Sequence, residues 1–224
     1  MRSNTSKIVV AIIYGIPDSE RRLLKKIPDE VKTLEGSLLH HEAKGELKVL
    51  KKLSELDDNY HVLCGVRIDL GRFVTYHYRG KKDLRSAQMD FVVVSKRGVV
   101  LIEAKNWSDE YLSKNIEHGG IIPHEQVDRA GLVLHIELSS PSLEKPPVYK
   151  VVLATYGNMQ YDPRYERVSV KDLNNINYFI QTRHECFSDE QVQWTVECLR
   201  GYVPNNQVFY NNTPKNRMEL KKNY

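Results

Sequence analysis

Apolar residues recur along this chain with two different periods, and the period divides it into elements. An unbroken apolar run at residues 8–13 reads as a buried strand, followed by a turn at Ile16-Pro17-Asp18 and a charged segment broken by Pro28. Leu39, Leu47, Leu50, Leu53 and Leu56 fall on a helical repeat, which predicts an amphipathic helix within residues 36–56. Glu46 precedes Leu50 by four residues and Leu53 by seven, so it falls on the inner side of that helix near its start. Residues 61–70 and 73–78 alternate as strands do, with a turn at Gly71-Arg72. After a basic loop, the β-branched runs 89–94 and 99–105 are joined by Ser95-Lys96-Arg97-Gly98 and predict a hairpin. Pro123 suits the first position of a helix reaching Leu138, with Val127, Ala130, Leu134 and Leu138 inward. Pro146-Pro147 introduces a strand at residues 148–156, and a shorter one follows at residues 167–170. Ser188-x-x-Gln191 is a capping box that opens a last helix, with Val192, Val196 and Leu199 as its apolar stripe. Strands interspersed with helices place the chain in the α/β class, as a mixed central β-sheet flanked by helices.

The hairpin carries the chemistry. Strand side chains alternate between faces, so Asp90, Val92 and Val94 are expected on one face, and Val99, Leu101, Glu103 and Lys105 on one face of the next strand. The short connection pairs Val94 with Val99, Val92 with Leu101 and Asp90 with Glu103. Directly opposed residues have Cβ atoms about 4.5–5.5 Å apart, and like charges there destabilise. A cation is therefore expected between the two acids, and a hard divalent ion such as Mg²⁺ takes oxygen ligands of this kind. Lys105 adds a fixed positive charge beside it. Glu-x-Lys alone says little, because it begins at Glu30, Glu42, Glu46, Glu103 and Glu219. Only the pair at Glu103 ends a β-branched apolar run, where acid and lysine are disfavoured unless partnered. The plainer reading is a solvent-exposed pair at a strand end. For Glu46 the readings are a metal shared with Asp90 and Glu103, or an ion pair with Lys48 or Lys51.

With 224 residues and 41% hydrophobic content, the chain fits one domain with decorations. We divide it into an N-terminal extension (1–35), a core domain (36–203) and a basic tail (204–224) expected to be disordered. The apolar run near the start falls well short of the roughly 18 residues a bilayer requires, so no membrane association is expected. Cys64, Cys186 and Cys198 are odd in number and lack Cys-x-x-Cys spacing, which points to a reducing, cytoplasmic setting. Neither the histidines nor the His184 and Cys186 pair suggests a ligand set or a nucleophile. Net charge is only +4, yet between Arg79 and Arg97 six basic residues face two acids. Basic flanks beside an acidic site would offset its repulsion of a phosphate backbone.

Gly45-Glu46 opening a helix, Gln88-Met89-Asp90 starting a strand, Gly98 to Lys105 running into Asn106-Trp107, and Pro123-His124-Glu125-Gln126 opening a later helix occur in one order over residues 40–156. In these segments the chain resembles the nuclease-related domain proteins of the wider PD-(D/E)xK nuclease superfamily. The resemblance implies a restriction-endonuclease-like fold and a metal-dependent nuclease using Mg²⁺ or Mn²⁺, with DNA the favoured nucleic acid. It makes Asp90 and Glu103, with the Ala104 carbonyl, the metal ligands. It gives Lys105 the water and phosphate, adds Glu46 to the acidic cluster, and puts Gln126 beside the phosphate. Arg129, one turn from Gln126, reads as helix solvation. The chain departs from the family pattern at Phe91, where His is usual, Ala104 for Thr, Ser108-Asp109 for Gly, and Ile122 for Asn. These bear on substrate preference and loop geometry rather than on a catalytic group. A catalytically inactive nucleic-acid-binding or interaction module on the same fold is the alternative, and a homodimer is compatible with either.

Overall fold

Valine-rich strands with apolar residues on both faces need cover on both sides, and this chain builds three layers to supply it. The computed structural model describes residues 11–15, 34–77, 81–108, 110, 114, 122–139, 146–157, 159–204 and 208–210. In chain order the elements are β1 (Ile12–Tyr14), α1 (Leu34–Leu53), β2 (His61–His77), β3 (Lys81–Ser95), β4 (Gly98–Lys105), α2 (Pro123–Leu138), β5 (Val148–Ala154), β6 (Val168–Asp172), α3 (Ile176–Gln181), α4 (Asp189–Arg200) and β7 (Val208–Tyr210). The strands form one seven-stranded sheet in the order β6-β5-β4-β3-β2-β1-β7. β2, β3 and β4 run as an antiparallel meander, while β4, β5 and β6 are parallel neighbours. This is the mixed sheet flanked by helices that the sequence implies.

One face is packed by Val127, Ala130, Leu134 and Leu138 of α2 and Val192, Val196 and Leu199 of α4, against Val92, Val94, Val99, Leu101 and Val152. The other takes Val49 and Leu53 of α1 and Ile176, Phe179 and Ile180 of α3, against Phe91, Val93, Val100, Ile102 and Leu153. α1 therefore centres its stripe on Val49, with Leu50 only partly buried. The capping box forms as expected, Ser188 accepting from Gln191 N and the Gln191 side chain from Ser188 N.

Several expectations change. No turn interrupts β2 at Gly71-Arg72. The strand continues to His77, its register with β3 shifting between Asp69 and Val74 where Gly71 adopts φ +67°. The stretch read as a basic loop is mostly strand, since β3 begins at Lys81 and pairs with His77. β1, from the segment read as an extension, pairs parallel to β2 and antiparallel to β7, from the segment read as a tail. Its residues are too apolar to be left outside, Ile13 and Tyr14 both being buried. Residues 8–10, the expected turn at 16–18, Pro28, Arg79, most of residues 109–121 and the residues beyond 210 lie outside the described residues. Among the described residues no helix is long and apolar enough to cross a membrane.

Two histidines tie this packing to pH. His61 Nδ1 lies 3.0 Å from Tyr14 Oη. His124 is buried beside Tyr165, with ring centroids 6.1 Å apart. Burial pushes both imidazoles below their usual pKa. The unfolded chain therefore binds more protons once pH drops below about 6.5, and stability rises with pH through that window. Urea denaturation is expected to show lower stability at mildly acid than at neutral pH, with a flatter slope in His124→Gln.

Candidate active site

Antiparallel pairing between β3 and β4 runs from Ser95 and Gly98 to Phe91 and Ile102 and stops. Beyond that point β3 stays with β2, Met89 opposite Val66, while β4 stays with β5, Glu103 opposite Val152 and Lys105 opposite Ala154. The two strands thus part at Asp90. Its carboxylate fills the gap, Oδ2 accepting a 2.8 Å hydrogen bond from Ala104 N, which the departing strand leaves without a backbone carbonyl.

Asp90 does not simply share a face with Val92. Phe91 packs in the layer under α1 and Met89 in the layer under α2, although their numbers share parity. Strand alternation is reversed between them. The register brackets Gly65 opposite Asp90, and Gly65 has φ +65°, a left-handed backbone that most residues avoid. Where the ladder ends, Asp90 turns its carboxylate to the Ala104 N–H of the neighbouring strand.

Glu103 keeps the expected alternation, on the α2 face with Val99 and Leu101. It is only 3% exposed, a costly place for a carboxylate without partners. Lys105 Nζ donates to Oε1 at 2.8 Å and Gln126 Nε2 donates to the same oxygen at 2.5 Å. Lys105 is itself held 4.9 Å from the Trp107 ring centroid, and its side chain is 11% exposed. A solvent-exposed strand-end pair is thereby excluded. Gln126 stands in the first turn of α2, whose helix N-terminus favours an anion nearby.

Lys105 O accepts from Thr155 N at 2.9 Å, so that peptide faces β5, while Ala104 N faces Asp90. The N–H and C=O of one strand residue point to the same side, which turns the Ala104 carbonyl toward the gap too. Asp90, Glu103 and this carbonyl are hard oxygen donors of the kind Mg²⁺ and Mn²⁺ take, and the residues present fit such an ion.

Glu46 does not complete a cage of three acids. It is half-buried on α1, which packs on the face opposite Glu103 and Lys105. Among the described residues, no three His, Cys, Asp or Glu side chains form a group able to hold a metal. What brings this helix close is Gly45: a Cβ there would come within 2.8 Å of Asn106 Cβ and 3.0 Å of Thr155 Oγ1. Thr155 Oγ1 bonds Asn106 Oδ1 at 2.9 Å, so helix and strand ends share one junction. Gly45→Val is expected to cost about 1–3 kcal/mol in chemical denaturation, since overpacking there must move backbone.

Four of the basic residues beside the hairpin are paired with acids. Lys82 pairs with Glu125, Arg85 with Asp69, Lys96 with Asp189 and Arg97 with Glu185. Such exposed pairs are weak and exchange easily, but they mute the local charge. Arg129 is likewise no solvated helix residue: it bonds Glu125 and lies 5.8 Å from the Tyr76 ring. Burial works to raise the Glu125 carboxyl, yet Lys82 and Arg129 hold it below its usual value. The Glu125-x-x-x-Arg129 spacing was the available signal for that pair.

The family model described as the nuclease-related domain matches residues 41–155, just over half of the chain and every one of these site residues. The chain belongs to the nuclease-related domain family. No curated protein matches it. In this nuclease-related domain the acid of β3, the acid and lysine of β4 and the glutamine of α2 are gathered where the sheet opens.

Proposed function

We propose that this chain is a divalent-metal-dependent nuclease that hydrolyses phosphodiester bonds, most naturally in DNA. The observation that carries the reading is the parting of β3 and β4 at Asp90, which sets Glu103, Lys105 and Gln126 beside an open sheet end. Asp90, Glu103 and the Ala104 carbonyl would hold Mg²⁺ or Mn²⁺. Held there, such an ion would supply Lewis-acid polarisation of the phosphate and would lower the pKa of a water bound to it. Lys105, released from Glu103, would donate to a non-bridging phosphate oxygen as charge builds there. Gln126 would orient the phosphate or the attacking water, and the α2 N-terminus would favour the anion. Glu46, on the opposite layer, would act through solvent rather than as a direct ligand. No protein nucleophile is needed.

The test is cleavage of end-labelled single- and double-stranded DNA and RNA by the purified chain in Mg²⁺, Mn²⁺ or EDTA. Metal-dependent products are expected from at least one substrate, and none from any would overturn the proposal. Binding without cleavage is the second reading. Glu103 supports it, because Lys105 and Gln126 already satisfy one oxygen of this buried acid.

A further inference from the structure

The parallel strands β4, β5 and β6 end together, at Lys105, Ala154 and Asp172. Open α/β sheets bind ligands outside the carboxyl ends of such strands. Ala154, paired with Lys105, also lines a cavity of about 550 Å³ that extends past β6 to α3. That volume is ordinary for a small-molecule subsite, and Ala154 sets one edge of it on the strand next to Lys105, at the carboxyl end of the parallel strands.

Its walls have an unusual make-up. Tyr178 and Tyr161 line it and are 70% and 53% exposed, so two aromatic side chains beside one cavity are open to a ligand. Phe179, also in the lining, is buried, with Lys171 Nζ 5.1 Å and Arg183 Cζ 4.3 Å from its ring centroid. Both cations are thus fixed at the wall. Asp172, the acid of the lining, is occupied by the backbone N–H groups of Asn174 and Asn175 and by the Asn175 amide. Open aromatic faces beside fixed cations suit a nucleobase that has left its stack, together with its phosphate.

We propose that this cavity receives an unstacked base of the strand being cut, one or a few nucleotides from the scissile phosphate. The inference rests on the nuclease reading and deepens it. A base can enter only if it is unpaired, so single strands and frayed ends are the preferred substrates over closed duplex.

The test uses the full chain in EDTA and a short single strand carrying 2-aminopurine, whose fluorescence falls on stacking. Wild type is expected to quench the probe and to bind the single strand more tightly than the matching duplex. Tyr178→Ala should weaken single-strand binding by about 5- to 150-fold and abolish the quench, leaving duplex binding unchanged. Tyr178 is largely exposed, so its truncation leaves the core intact, and Tyr161→Ala is a second probe. Wild-type affinity and quench in both variants would overturn the base cavity, whatever the cleavage result. Intact binding and quench with no Mn²⁺-dependent cleavage by wild type would instead overturn the nuclease reading.

Discussion

Asp90→Asn is expected to lower metal-dependent cleavage by at least about 100- to 1,000-fold while leaving the fold in place, because a metal's charge stabilisation is worth several kcal/mol. The substitution isolates charge from shape. An asparagine Oδ1 can still accept from Ala104 N, the 2.8 Å bond that keeps the gap between β3 and β4 filled. What disappears is the negative charge and one metal-binding oxygen. Calorimetric titration with Mn²⁺ should accordingly show binding in the wild type that is lost in the variant, at nearly unchanged melting temperature. Equal cleavage by the two proteins would remove Asp90 from the site, and a large fall in melting temperature would make its role structural.

Lys105→Met is expected to act twice. Loss of a donor to the developing phosphate charge should reduce cleavage by about 100- to 1,000-fold. The methionine also leaves Glu103, 3% exposed, with Gln126 as its remaining hydrogen-bond donor among those described above, and breaking a buried ion pair costs about 3–5 kcal/mol. Lys105 is at a strand end and slightly open, so the lower part of that range applies. If a cation binds beside Glu103, Mn²⁺ should raise the melting temperature of the variant more than that of wild type, because it replaces the missing ammonium. The double variant Glu103→Gln with Lys105→Met should regain stability and remain inactive. Stability unchanged in Lys105→Met would show that the pair seen here contributes nothing to folding.

Much of this was legible because it is local. The α2 helix announces itself through Pro123 and the spacing of Val127, Ala130, Leu134 and Leu138, and both the capping box at Ser188 and the hairpin register from Val94 and Val99 follow from near neighbours. Glu103 stood out among the Glu-x-Lys sites because β-branched residues precede it, and its burial follows from that context. What failed to show depends on distant partners. Alternation predicts one face for Asp90 and Val92, but the reversal is set with Gly65 on another strand. Lys96 looks like a loop cation until Asp189, far along the chain, is folded against it. The basic stretch at residues 81–88 lacks apolar alternation because β3 there projects into solvent with β2, so strand pairing rather than burial holds it. The short α3 carries too few residues for a helical period to emerge.

The carboxylate at position 90 also behaves as a wedge. Were a side chain there unable to accept the Ala104 N–H, the cheapest repair would be for the two ribbons to zip one step further, Met89 sliding opposite Ala104, and for the mouth of the sheet to shut. An alanine at this position would then silence the protein by closing a door rather than by removing a charge, and dead alanine variants elsewhere in such split sheets deserve the same suspicion.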